Sequence, residues 1–118
     1  MKLINFKKNN EIKIGVKTEK GILDLQEAGK QLNETVPSSM EQLIAENDIA
    51  RISSIVKRAE QETNDNLFIS EEDITFAPIV TNPEKIICVG LNYLEHIEES
   101  KVGEIPKEPV LFSKFNNA

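Results

Sequence analysis

The chain has 118 residues, enough for one domain or for a small domain followed by part of another. A net charge of −6 argues against a nucleic-acid partner, which needs clustered Lys and Arg, and against an anionic membrane surface. With 39% hydrophobic residues and no Trp, any core must come from Ile, Leu and Val.

Lys2 to Phe6 and Glu11 to Lys17 are β-prone, and the polar turn Lys8-Asn9-Asn10 between them predicts a hairpin. The second run alternates, with Ile12, Ile14 and Val16 expected on one side. Glu19-Lys20-Gly21 marks another turn before a short strand at Ile22 to Leu25, so the opening reads as an antiparallel meander. The period then changes. Asp24 can cap a helix running to about Leu32, and Pro37 with Ser38-Ser39 interrupts it. Ser38 or Ser39 can cap a second helix, in which Met40, Leu43 and Ile44 recur at helical spacing. Asp48 can cap a third, with Ile49, Ile52, Ile55, Val56 and Ala59 along one stripe and Arg51, Lys57, Arg58 and Glu60 opposite. Such a stripe is the ordinary signature of core packing.

Residues 61 to 66 are polar and break the helix. Leu67 to Ile69, the acidic turn Glu71-Glu72-Asp73 and Ile74 to Phe76 follow. Pro78 and Pro83 then bracket an extended connector, since proline pushes its predecessor out of the helical region. A boundary at about residue 80 divides a small α+β domain (1–80) from a second segment (81–118). In that segment Ile86 to Val89 is a continuous apolar run, the pattern of a strand buried on both faces. Cys88, the lone cysteine, reads there as a small buried side chain and permits no disulfide framework. Gly90 ends the strand, Asn92 can cap a helix ending near Val102-Gly103, and Val110 to Phe115 returns as a strand. No apolar stretch approaches the roughly 20 residues needed to cross a bilayer. MKLINFKKNN has no apolar core long enough for a secretion signal, so a cytoplasmic location is expected.

His96, the only histidine, lies in that helix with Glu99 three residues on. At this spacing the two side chains share a face. A carboxylate on one ring nitrogen fixes the tautomer and makes the other nitrogen a better base. A helix that begins where a strand ends also places the pair at a sheet end, where open sites form. The same spacing suits an ordinary solvated histidine. Glu98, equally acidic, faces elsewhere.

Gly90-Leu91-Asn92-Tyr93, then His96, Glu99 and Glu108-Pro109-Val110-Leu111-Phe112-Ser113-Lys114 resemble the fumarylacetoacetate hydrolase family, whose members show G-x-N-Y, H-x-x-E and a P-V-x-F-x-K strand in this order. The resemblance implies an α+β fold: a small N-terminal domain of antiparallel strands with two or three helices, then the first strand–helix–strand of a mixed-β catalytic fold. It implies His96 as general base and Glu99 as its partner. It also implies a lid at about residues 101–106, and substrate contacts from Asn92, Tyr93 and Lys114. Hydrolysis of carbon–carbon bonds, decarboxylation, hydration or isomerisation of small 2-oxo or β-dicarbonyl acids is the implied chemistry. Mg²⁺ or Mn²⁺ is the implied cofactor of the complete enzyme, and a homodimer the implied assembly. The family's metal ligands lie C-terminal to the P-V-x-F strand, so no metal residue is expected in this chain. Glu60-Gln61-Glu62 reads instead as a solvated face. The chain by itself is therefore expected to be inactive, needing a C-terminal half or a partner chain. A non-catalytic interaction or regulatory module that keeps only the N-terminal domain is the alternative.

Overall fold

The computed structural model describes residues 1–62, 65–91 and 108–116. The chain divides into two compact units, Met1–Thr81 and Asn82–Ala118.

Unit 1 opens with β1 (Lys2–Lys8) and β2 (Glu11–Thr18), paired antiparallel from Lys2↔Lys17 to Lys8↔Glu11. Asn9 and Asn10 close the hairpin at φ 50° and 66°. This two-residue left-handed turn matches the twist of the strands it joins. β3 (Gly21–Asp24) pairs with β2. Gly21 has φ 124°, and a Cβ there would lie 2.7 Å from the Ile69 carbonyl oxygen, so only glycine fits. Three helices follow: α1 (Leu25–Leu32), α2 (Met40–Glu46) and α3 (Ile49–Gln61). Each starts on a side-chain cap. Asp24 Oδ1 accepts from the Glu27 amide, Ser39 Oγ from Gln42 and Asp48 Oδ1 from Arg51. Of the two serines, Ser39 is the cap. Asn33 and Asn47 end α1 and α2 in the left-handed conformation.

β4 (Phe68–Ile69) and β5 (Thr75–Ala77), each preceded by a 3₁₀ turn, complete a five-stranded sheet of order β4-β3-β2-β1-β5. All its pairings are antiparallel, giving an α+β fold. The helices cover one face. Ile14, Val16 and Leu23 from the sheet meet Leu25, Ala28, Met40, Leu43, Ile52, Ile55 and Ala59 in one core. Phe6 and Ile22 are buried on the opposite face, over Gly15, where any Cβ would lie 2.7 Å from Ile22 Cγ2.

Three positions assigned to apolar stripes are exposed: Ile12, Ile44 and Ile49. Ile12 flanks the hairpin turn, Ile44 sits in the last turn of α2, and Ile49 opens α3. Each stands at an element's end, beyond the reach of the covering layer. Asp24 is the one carboxylate among the buried residues. Besides capping α1 it lies 3.6 Å from Lys13 Nζ and 3.7 Å from Lys8 Nζ. Its cap and its countercharges together offset the cost of burying it.

Unit 2 contains β6 (Ile86–Gly90) and β7 (Val110–Lys114), paired antiparallel from Ile86↔Lys114 to Gly90↔Val110. The expectation that Ile86–Val89 is buried on both faces does not hold in this chain. Ile87 is 66% and Val89 48% exposed, and every residue of β7 is exposed. A continuous apolar run becomes a buried strand only when layers stack on both sides. Among the described residues of this unit there are only these two strands.

Candidate functional site

β6 ends at Gly90, which pairs with Val110 at the start of β7. The connection between the two strands therefore starts and finishes at this end of the sheet. That excursion carries Asn92, Tyr93, His96 and Glu99, the helix expected over 92–102 and the lid expected near 101–106. All of these lie outside the described residues.

The exit itself is described. Leu91, directly after β6, has φ 53°. The left-handed region places Cβ too close to the following carbonyl, and a bulky residue there is an outlier. Nothing in a Gly-Leu-Asn string announces it. The expected break fell on Gly90, yet Gly90 keeps the strand pairing and the turn falls one residue later. Strained residues of this kind cluster at sites where the surrounding structure enforces them. Leu91, the last described residue before Asn92, thus holds a conformation that the sequence concealed.

Lys114 lies at the other end of the ladder, opposite Ile86. It stands four positions beyond Val110, so its backbone lies about 13 Å from the exit at an ordinary strand rise. Paired residues share a face. Lys114 therefore shares one with Phe112, Val110, Ile86 and Cys88, while Ile87, Val89, Leu111 and Ser113 form the other. Both faces are apolar apart from Ser113 and Lys114.

Unit 1 has its own concavity, an open groove of about 590 Å³ whose walls include Lys2, Lys17, Ser53 and Lys57. Glu19 and Glu60 line it too, and Lys17 is ion-paired with Glu71. Its lining sets three lysines against two glutamates in an open groove. Among the described residues no three His, Cys, Asp or Glu side chains converge as metal ligands. None of the described helices is long and apolar enough to cross a membrane.

No family model matches the chain. Curated proteins do. Over 106 residues it is 39% identical to the fumarylacetoacetate hydrolase domain-containing protein 2 homolog of Dictyostelium discoideum, covering 90% of this chain and 32% of that protein. Over 98 residues it is 37% identical to oxaloacetate tautomerase FAHD2A, mitochondrial, of Bos taurus, covering 83% of this chain and 28% of the relative. This chain belongs to the fumarylacetoacetate hydrolase family. A third member, oxaloacetate tautomerase fahd2, mitochondrial, of Xenopus laevis, is 32% identical over 120 aligned residues, 98% of this chain and 34% of that one. The chain spans about a third of the length of the curated family members it matches. Two of these three are named for an enzymatic activity, a tautomerisation.

Proposed function

We propose that the complete protein is an enzyme of small 2-oxo or β-dicarbonyl acids in which His96 moves a proton and Glu99 holds its ring. The observation that carries this reading is the 37% and 32% identity to family members named oxaloacetate tautomerases, over most of the chain. Tautomerisation needs no co-reactant. A proton leaves the carbon between the two carbonyl groups of oxaloacetate, and a proton is returned to the enolate oxygen. His96 accepts the first on its free ring nitrogen and, as imidazolium, can return one. Glu99, one helical turn on, accepts from the other ring N–H, fixing the tautomer and stabilising the cation. Asn92 and Tyr93, beside the Leu91 turn, and Lys114 are the proposed contacts for the substrate's carboxylates. Decarboxylation and carbon–carbon hydrolysis of such acids pass through the same kind of enolate, so lyase and hydrolase chemistry fall within this proposal.

Magnesium or manganese, implied for the complete enzyme, does not fit the described residues, which assemble no ligand cluster. In our proposal its ligands belong to further polypeptide, and the 118-residue chain alone is inactive. We further propose a homodimer. We also propose a cytoplasmic location.

One observation favours a second, non-catalytic reading: unit 1 closes its own core within Met1–Thr81 and could act alone as an interaction module. Assay of the family-length protein for oxaloacetate keto–enol interconversion separates the two. The enzyme reading expects His96→Ala to lower kcat by about 10²–10⁴-fold, the usual worth of a general base. Full activity in that variant contradicts the role given to His96.

A further inference from the structure

Residues 78–81 look like a linker in sequence, yet two side chains of unit 1 hold their backbone. Asn5 lies in β1 opposite Ala77 of β5 and is only 2% exposed. Its Nδ2 donates to the Pro78 carbonyl at 2.9 Å and to the Ile79 carbonyl at 3.0 Å. Its Oδ1 has no partner. A buried amide is costly unless hydrogen-bonded, and both bonds this side chain makes go to the connector. Two residues on, the Glu41 carboxylate in the first turn of α2 takes over. Its Oε1 accepts from the Thr81 backbone N–H at 3.0 Å and from Thr81 Oγ1 at 2.8 Å. Hydrogen bonds to an ionised acceptor are the strong ones. The Thr81 amide is the main reason that the Glu41 carboxyl is pulled down to about 2.

We propose that residues 78–81 are a strap, a conformational device that fixes where the chain leaves unit 1, so that backbone freedom begins at Asn82. Four hydrogen bonds from two elements, β1 and α2, hold Pro78, Ile79 and Thr81. Ile79 and Val80 are exposed although their neighbours' backbone is pinned. A free linker would give its carbonyls and amide to water and would provide no reason to bury Asn at position 5. The strap explains both the buried amide and the reach of the Glu41 carboxylate to Thr81.

Amide hydrogen exchange on the 118-residue chain, read residue by residue, tests this. In the native sequence the Thr81 amide should exchange at least about 10-fold more slowly than the same amide in an unfolded peptide. Glu41→Ala should bring it to the peptide rate while β1, β2 and β3 stay protected, and should open a thermolysin cut at Ile79 or Val80. Asn5→Ala risks unfolding the sheet, so the partly exposed Glu41 carries the decision. Thr81→Val, which keeps the amide and removes the hydroxyl, should retain most of the protection. A Thr81 amide already at the peptide rate in the native sequence, or equally slow in Glu41→Ala, overturns the strap.

Discussion

The two units treat the same kind of residue in opposite ways. Leu23 of β3 is fully buried, held between the helices and its strand neighbours. Leu111 of β7, equally apolar and equally central in its strand, is 62% exposed. The difference does not lie in the strands, which pair antiparallel in both units. It lies in what is stacked on them: three helices in unit 1, and nothing else among the described residues in unit 2. Pairing makes a ladder, but stacking makes a core, and only the first unit shows both among the described residues.

The sharpest way to break this comparison is to truncate both leucines. Leu23→Ala should destabilise unit 1 by about 2–5 kcal/mol, the cost of a cavity in a closed core, whereas Leu111→Ala should change the chain's stability by no more than about 0.5 kcal/mol. Urea unfolding of the two variants checks both numbers. In a family-length protein that covers this sheet, Leu111→Ala should move into the Leu23 range.

A smaller effect sharpens the account of unit 1. Asp24→Ala removes the cap of α1 and leaves Lys8 and Lys13 without their buried partner. It should cost about 1–2 kcal/mol in thermal unfolding, the upper part of the range for a lost cap. In unit 2 the corresponding probe is Leu91→Gly. Relieving one left-handed bulky residue should favour the β6–β7 pairing by about 1 kcal/mol, read as slower exchange at Gly90 and Val110.

The smallest expected effect is a pH response at the strap. The Glu41 carboxyl is lowered from its ordinary 4.5 to about 2 by the Thr81 amide, the bond of its own backbone and the Thr81 hydroxyl. A group depressed on folding stabilises above its unfolded value and loses that contribution as pH falls through its folded one. Thr81 protection should therefore persist at about pH 4 and fade on approach to about pH 2, while in Glu41→Ala no such step remains.

Much of unit 1 was legible in the sequence for local reasons. Asp24, Ser39 and Asp48 announce helix starts because short polar side chains can reach the free amides two or three residues on. The Asn9-Asn10 turn announces the hairpin because both residues tolerate positive φ. Ile52, Ile55, Val56 and Ala59 announce the buried face of α3 by their spacing. Periodicity did not show where a covering layer stops, and so Ile12, Ile44 and Ile49 were placed inside. Nor could it show that β5 returns to pair with β1, or that Asn5 and Glu41 hold residues more than 35 positions away. Such long-range ties leave no local pattern. At the candidate site the order Asn92, Tyr93, His96, Glu99 pointed to the family, and the relatives support that membership. The left-handed Leu91 stayed hidden, because a leucine gives no sign of the conformation that its neighbours impose.

The claim beneath all of this is that unit 1 is closed on itself while the sheet from which the His96 segment departs is open. Native-state hydrogen exchange across the whole 118-residue chain tests it most directly. The account predicts that amides in β1, β2 and α3 exchange only through global unfolding of unit 1, whereas those of β6 and β7 exchange at least about 100-fold faster. Equal protection of Val16 and Val89 would contradict it.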